Sequence, residues 1–270
     1  MITPIMVRFS SPSEEFGMEK HTEKIEFVEC MKNRLDTALI INASHCDHSG
    51  RLSIPACAEL FLDAASLHAE QIDVGTRKMM EQNLFWIASR IKVELLERPE
   101  MMTEAVLSTW PMPPERVRCD REYSISAGSE LIARGKTEWA VLNMKTKRIV
   151  PPASVFPEGI CYTEPDIFPA PFRRFGRDFD GATVLGTHRI VSTDLDLGGH
   201  MNHVAYIRAL FACFASKELD ERSFHFLEAQ YAAQSYEGET ISFLSKEEDG
   251  TILTEALNED GKIVFFAGLK

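Results

Sequence analysis

Two short segments of this chain spell the same turn into the same helix, and a duplicated module is the constraint on the fold from which the other readings follow. Asp47-His-Ser-Gly-Arg51 lies over Asp196-Leu-Gly-Gly-His200 at a constant offset of 149 residues (47 to 196, 51 to 200). Helical periodicity follows each turn: Cys57, Leu60, Phe61, Ala64, Ala65 and His68, with Pro55 suited to a first turn, and later Ile207, Leu210, Phe211 and Phe214. Alternating stretches then predict four strands in each half, over 87–95, 105–110, 123–127 and 131–142, and over 224–232, 240–244, 251–257 and 263–269. Gly135-Lys-Thr-Glu-Trp-Ala-Val-Leu142 lies over Gly261-Lys-Ile-Val-Phe-Phe-Ala-Gly268, each closing its half as a strand, with Glu259-Asp-Gly-Lys262 as a hairpin turn.

Between the halves, Pro151, Pro152, Pro157, Pro165, Pro169 and Pro171 crowd one segment, and proline cannot donate within a helix or a central strand. The boundaries that result are an N-terminal extension over 1–35, a first repeat over 36–150, a Pro-rich linker over 151–185 and a second repeat over 186–270. A helix with a wide apolar face is most simply buried by a sheet curling around it. Two such halves can pair edge to edge, which predicts an α+β fold: two helix-wrapped antiparallel sheets joined into one continuous sheet.

The net charge of -12 argues against a nucleic-acid binder and against attraction to an anionic membrane. Six cysteines without a CxxC pair suit reduced, buried thiols in a cytoplasmic chain. No stretch resembles a signal peptide or is long enough to span a bilayer, so a cytoplasmic protein without membrane insertion is expected.

Chemistry concentrates in Asp194-Leu-Asp-Leu-Gly-Gly-His-Met-Asn-His-Val-Ala-Tyr-Ile207. Gly198 and Gly199 let the backbone turn tightly and a substrate approach, and the helix start offers N–H groups to a developing negative charge. Asp196 and His200 stand four residues apart in this loop, with Met201 and Asn202 beside them. In the first copy Arg51 replaces the histidine, an arrangement expected to hold Asp47 in an ion pair, which makes the first half the non-catalytic one. It is expected to supply an apolar tunnel instead, with Met79 and Met80 as adaptable lining. His45-Cys-Asp-His48 has no second cluster at a ligand-like spacing, so no metal is expected.

Longer motifs carry a resemblance. Gly50-Arg-Leu-Ser-Ile-Pro-Ala-Cys-Ala-Glu-Leu60, Ala65-Ser-Leu-His-Ala-Glu70, Trp86-Ile-Ala-Ser-Arg-Ile91, Ser108-Thr-Trp-Pro111, Trp139-Ala-Val-Leu142, Asp196 through Tyr206, and Leu227-Glu-Ala-Gln-Tyr231 together resemble the acyl-acyl-carrier-protein thioesterases. That resemblance implies a tandem pair of hot-dog domains, hydrolysis of acyl carrier protein (ACP) thioesters to free fatty acid in fatty acid biosynthesis, and no cofactor. The family pattern Asp-x-Asn-x-His-x-Asn-Asn reads Asp196-Leu-Gly198-Gly-His200-Met-Asn202-His203 here, so the family's catalytic asparagine is Gly198. The family's Glu-Cys falls on Gln234-Ser235. Acyl-coenzyme A hydrolysis and a non-catalytic protein that holds acyl thioesters are the rival functions.

On this basis Asp196 is expected to act as base or to orient water, with His200 sharing the proton transfer. Gln234 and Ser235 reach the same pocket, and helix-start amides around His200 to Asn202 polarise the carbonyl, with Gly198, Gly199, Met201 and Asn202 against the substrate. The acidic carrier protein needs a basic patch on an acidic chain. Three clusters qualify: Arg173, Arg174 and Arg177; Lys145, Lys147 and Arg148; and Arg116, Arg118 and Arg121. The sequence leaves oligomeric state open, a homodimer included.

Overall fold

A sheet that must wrap two helices from one side has to present its strands in mirror order about a central seam, and this one does. The computed structural model describes residues 2–9, 24–31, 33–176 and 179–270, with side chains from residue 33 onward. A separate hairpin pairs β1 (Ile2–Phe9) with β2 (Lys24–Met31). The first repeat follows with β3 (Leu35–Ile40), α1 (Ile54–Gln71), α2 (Thr76–Glu81), β4 (Leu84–Leu95), β5 (Glu104–Pro111), β6 (Cys119–Ala127), β7 (Glu130–Asn143) and β8 (Arg148–Val150). The second holds β9 (Thr183–Arg189), α3 (His203–Phe211), α4 (Ser216–Arg222), β10 (Phe226–Tyr231), β11 (Thr240–Glu248), β12 (Thr251–Leu257) and β13 (Ile263–Leu269).

The main sheet runs β3-β5-β6-β7-β4-β10-β13-β12-β11-β9, with β8 beside β7. Read from either end, the path visits equivalent strands, so the halves are related by a pseudo-twofold through the β4–β10 seam. There Val93 opposes Leu227 and Ile91 opposes Ala229, all buried. The two long helices lie on one face and are paired across the axis by Glu59 and Arg208, equivalent positions of the two copies. The antiparallel α+β architecture expected from the repeat is the one present. The strands outside the expected pattern are β1, β2, β3, β8 and β9; β3 and β9 are the main sheet's two edges, short and half exposed, so neither needs a long apolar alternation.

The inner face is closed by aromatic stacking. Phe61 of α1 lies over Tyr123 at 4.9 Å, and Tyr206 of α3 over Phe265 at 5.4 Å. Gly135 makes the first stack fit, since a Cβ there would come within 2.4 Å of the Phe61 ring and 2.9 Å of the Lys92 carbonyl. Truncating the fully buried Phe61 to Ala should cost about 3–5 kcal/mol, read as a lower urea midpoint at unchanged slope.

The opposite face is covered by the proline segment. Lys92 is 2% exposed, and its ammonium donates to the carbonyls of Ala170 (2.8 Å) and Pro171 (2.7 Å) while lying 4.8 Å from the Phe172 ring. Arg134 donates to the Ile167 carbonyl and Trp110 to that of Pro165, and Lys136 bridges Asp166 and Glu122. Prolines suit this strap because their carbonyls accept while no N–H is left to satisfy. Burial in this cluster pushes the Glu122 carboxyl up to about 8. Among the cysteines, Cys46, Cys57, Cys119 and Cys213 are free thiols. Cys161 departs from the expectation of six reduced thiols: it lies in a half-exposed loop of the linker and is disulfide-bonded.

Candidate active site

The duplicated turn is preserved atom for atom in its backbone and has diverged in its side chains. In the first copy the amide of Asp47 donates to the carbonyl of Arg51 (2.9 Å) and Gly50 donates back to Asp47 (3.0 Å). In the second, Asp196 bonds His200 (3.0 Å) and Gly199 bonds Asp196 (3.0 Å). Gly50 and Gly199 both take the left-handed region, φ 73 and 75, which explains glycine at each. Each turn ends on a helix cap: Ser53 accepts from the Ala56 amide, and Asn202 from that of Ala205.

The side chains then part company. Asp47 pairs with Arg98, not with Arg51 as expected, because Arg51 swings out to Glu100 (2.7 Å). Burial opposes ionisation of Asp47, but hydrogen bonds from Ser49 and the Arg98 charge outweigh it and hold the carboxyl below its ordinary value. Asp196 instead faces an imidazole, with His200 Nδ1 lying 3.1 Å from its Oδ2. The Gly198 amide donates to the other oxygen at 2.7 Å. Both carboxylate oxygens are therefore engaged, which fits a group that orients the ring rather than one that attacks water. With Nδ1–H directed at the aspartate, the ring's Nε2 is left as the acceptor.

Gly198 is a requirement of this geometry. A Cβ at 198 would lie 2.6 Å from His200 Nε2, 2.8 Å from Cε1 and 3.0 Å from Asp196 Oδ1. The imidazole occupies the space that a side chain at 198 would need. Gly198→Ala should therefore lower turnover at least about tenfold by displacing the ring, while leaving thermal stability near wild type. Equal turnover in steady-state assays would show that the ring does not need this place.

Asp196, Gly198, His200 and Met201 line a cavity of about 810 Å³ that runs under α1 and α2 of the first repeat, past Ala65, Ala69, Met79 and Met80. The apolar lining expected from the first half is thus in place. Two residues not singled out from sequence also line it. His203, first in α3, directs its ring at the Ala88 carbonyl (Nε2 to O, 3.1 Å) and packs edge-on to Tyr231. Burial lowers its pKa, so it stays neutral with the proton on Nε2. The departure from asparagine at 203, the last position of the pattern, was the signal that could have found it. Tyr236 lies edge-on to His200 at 6.5 Å.

Other expected residues stand elsewhere. Gln234 lines the cavity, and its Oε1 accepts from Tyr236 at 3.1 Å. Ser235 is buried behind the wall beside the Tyr206 hydroxyl, and its carbonyl accepts from the Met201 amide. The Asn202 side chain is spent on capping α3 and on the Asp194 carbonyl. Neither Asn202 nor Gly199 is part of the cavity wall. The amides of Met201 and Asn202 are also committed, to Ser235 and Asp194, and so are not free to polarise a carbonyl as expected. Arg173 and Arg174 lie in the strap on the face of the sheet away from the helices, where the Arg173 amide bonds Glu228 and its guanidinium lies 3.7 Å from Glu248. They are brought there because the linker follows Lys92, and they do not border the cavity. Arg177 lies outside the described residues. Arg121 is not a surface charge but is buried in the cavity wall. Lys147 does line the cavity, at its exposed end beside Met80 and Met144. No helix among the described residues is long and apolar enough to cross a membrane.

Residues 32–158 match the acyl-ACP thioesterase N-terminal domain. Curated relatives include oleoyl-acyl carrier protein thioesterase 2 of Arabidopsis thaliana, 21% identical over 214 residues, and the oleoyl-acyl carrier protein thioesterase of Coriandrum sativum, 20% identical over 228 residues. These alignments cover 73% and 77% of this chain and 58% and 62% of the relatives, so the chain spans about three-fifths of their length. An acyl-ACP thioesterase structure from Bacteroides thetaiotaomicron superposes with a TM-score of 0.74 at 21% identity, covering 87% of this chain and 96% of that one. The 12:0-ACP thioesterase from Umbellularia californica gives 0.72 at 14%, covering 88% and 96%. Such likeness establishes the tandem hot-dog fold. The first repeat thus matches the N-terminal domain of the acyl-ACP thioesterases, and the chain as a whole is similar in sequence and fold to proteins of that name.

Proposed function

We propose that this protein hydrolyses acyl-ACP thioesters, with His200 as general base and Asp196 as the group that orients it. The observation that carries the reading is the Asp196–His200 pair at the wall of a long, largely apolar cavity. Nε2 of His200 takes a proton from water, and the hydroxide adds to the thioester carbonyl carbon. The tetrahedral intermediate collapses with cleavage of the C–S bond, and the leaving thiolate recovers the proton from the imidazolium. The acid is released with a free thiol, and no cofactor is needed. The oxyanion donor is the amide of His203, which opens α3 on the cavity wall and has no acceptor among the described residues. Gln234 holds water at the same wall.

The carrier protein is drawn to the cavity end at Lys147, with Lys145 on the same turn after β7 and Arg148 opening β8. Steady-state assay against matched acyl-ACP and acyl-coenzyme A thioesters tests the function: faster turnover of the carrier-protein series is expected. Preference for coenzyme A would move the substrate class, and binding without hydrolysis of either would make it a holder of acyl thioesters. Lys147→Glu should raise KM at least about threefold for acyl-ACP, most at low salt, and spare small thioesters. Equal effects on both would remove the docking role.

A further inference from the structure

Arg121 is 6% exposed and lines the cavity, yet no carboxylate pairs with it among the described residues. Its Nη1 donates to His68 Nδ1 (3.0 Å) and Thr109 Oγ1 (3.2 Å). A guanidinium has no lone pair to offer, so His68 must accept through a bare Nδ1. The Nε–H and the Nη2 donors find no acceptor among the described residues. The adjacent Glu122 points to the outer face, where Lys136 takes it at 2.8 Å. Burying a charge without a counter-charge is costly, and a site that does so is relieved by a ligand that brings one.

The position of Arg121 says which part of a ligand it meets. Trp139 stands opposite Ala88, whose carbonyl holds His203, and Cys119 stands opposite Trp139. Cys119 is therefore two strands across the sheet from the reacting end, about 10 Å, and Arg121 is the next residue of β6 on the same face. The apolar wall of Ala65, Ala69 and Met79 flanks the same cavity. An acyl chain with its thioester at His200 would run under α1 and bring its far end to the guanidinium.

We propose that the acyl group this protein accepts ends in a carboxylate received by Arg121, so that its substrates are half-thioesters of dicarboxylic acids. An alkyl terminus leaves the guanidinium donors unmet, whereas a carboxylate takes two of them in parallel. The proposal rests on the hydrolase reading for the placement of the thioester, and it is tested by binding so that the two can fail separately. Uncleavable amide analogues of acyl-N-acetylcysteamine, of graded length and ending in methyl, hydroxyl or carboxylate, are titrated calorimetrically into the wild-type protein. At the best length the carboxylate analogue should bind at least about tenfold tighter than the methyl analogue. R121M should abolish that advantage and bind the methyl analogue no worse than wild type does. If methyl or hydroxyl analogues bind the wild-type protein as tightly as carboxylate ones at every length, the proposal is overturned, whether or not the variant folds. Arg121 would then be a clamp between α1 and β5. Tight carboxylate binding with no hydrolysis of the matching thioesters would instead sink the catalytic reading and leave this one standing.

Discussion

Replacing Asp196 by Asn should lower kcat on acyl thioesters by about 10²- to 10⁴-fold with little change in KM. An amide can still accept from the Gly198 N–H, so the turn survives. It cannot remain a purely accepting anion toward His200, and its NH2 would face the imidazole Nδ1–H or force the other tautomer. The ring then loses both its orientation and its support for the positive charge that forms when Nε2 takes a proton. His200→Ala should cost a similar factor, and the double variant no more than the worse of the two, since paired catalytic groups act as a unit. Circular dichroism and melting temperature should match wild type because neither side chain belongs to the core. Turnover of D196N within about threefold of wild type would remove the pair from the mechanism.

A second large effect concerns pH. His68 is 1% exposed on α1, and burial followed by the neighbouring Arg121 charge lowers its pKa from 6.5 to about 3. In this window the unfolded chain binds the proton that the folded chain refuses. The group therefore contributes stability that is complete above about 6.5 and drains away as pH falls toward 3. The ceiling on the loss is about 5 kcal/mol, and burial lowers the His203 pKa in the same direction. Glu122, raised by burial to about 8, works with the opposite sign between its ordinary value of 4.5 and 8. The clean quantity is the difference between wild type and His68→Gln, which keeps an acceptor for Arg121 without a titrating ring. Measured by urea unfolding, that difference should move in favour of H68Q by up to about 1.4 kcal/mol per pH unit below 6.5. A pH-independent difference would mean that His68 is not held neutral.

The architecture was legible because repetition and alternation are properties of order along the chain. Asp47-His-Ser-Gly-Arg51 and its twin announced the two halves, and residues such as Ile91, Val93 and Tyr123, buried on one face of their strands, announced the sheet. The site was legible only in part. Asp196 and His200 could be placed in one turn from spacing alone, but which atoms of the turn remained available could not. The Met201 and Asn202 amides look free in sequence and are spent on Ser235 of a later loop and on Asp194 of their own loop, contacts set by how the chain folds back. Direction across a sheet was the other blind spot. Arg173 reads as an exposed loop charge, and it is one, but on the wrong face. Arg121 reads the same way and points inward, because strand register, not composition, decides on which side a β6 side chain emerges.

The cavity begins at a loop of one copy and ends against the helix of the other, so in the roles proposed for His200 and Arg121 the duplication separates two tasks that a symmetric dimer of single modules would have to perform with the same amino acids. Changes in the half that carries Arg121 can alter which chains are accepted without disturbing bond cleavage. Changes around Gly198 can alter the rate without redefining the guest. Evolution, or an engineer, can therefore work on selectivity and on speed as separate dials.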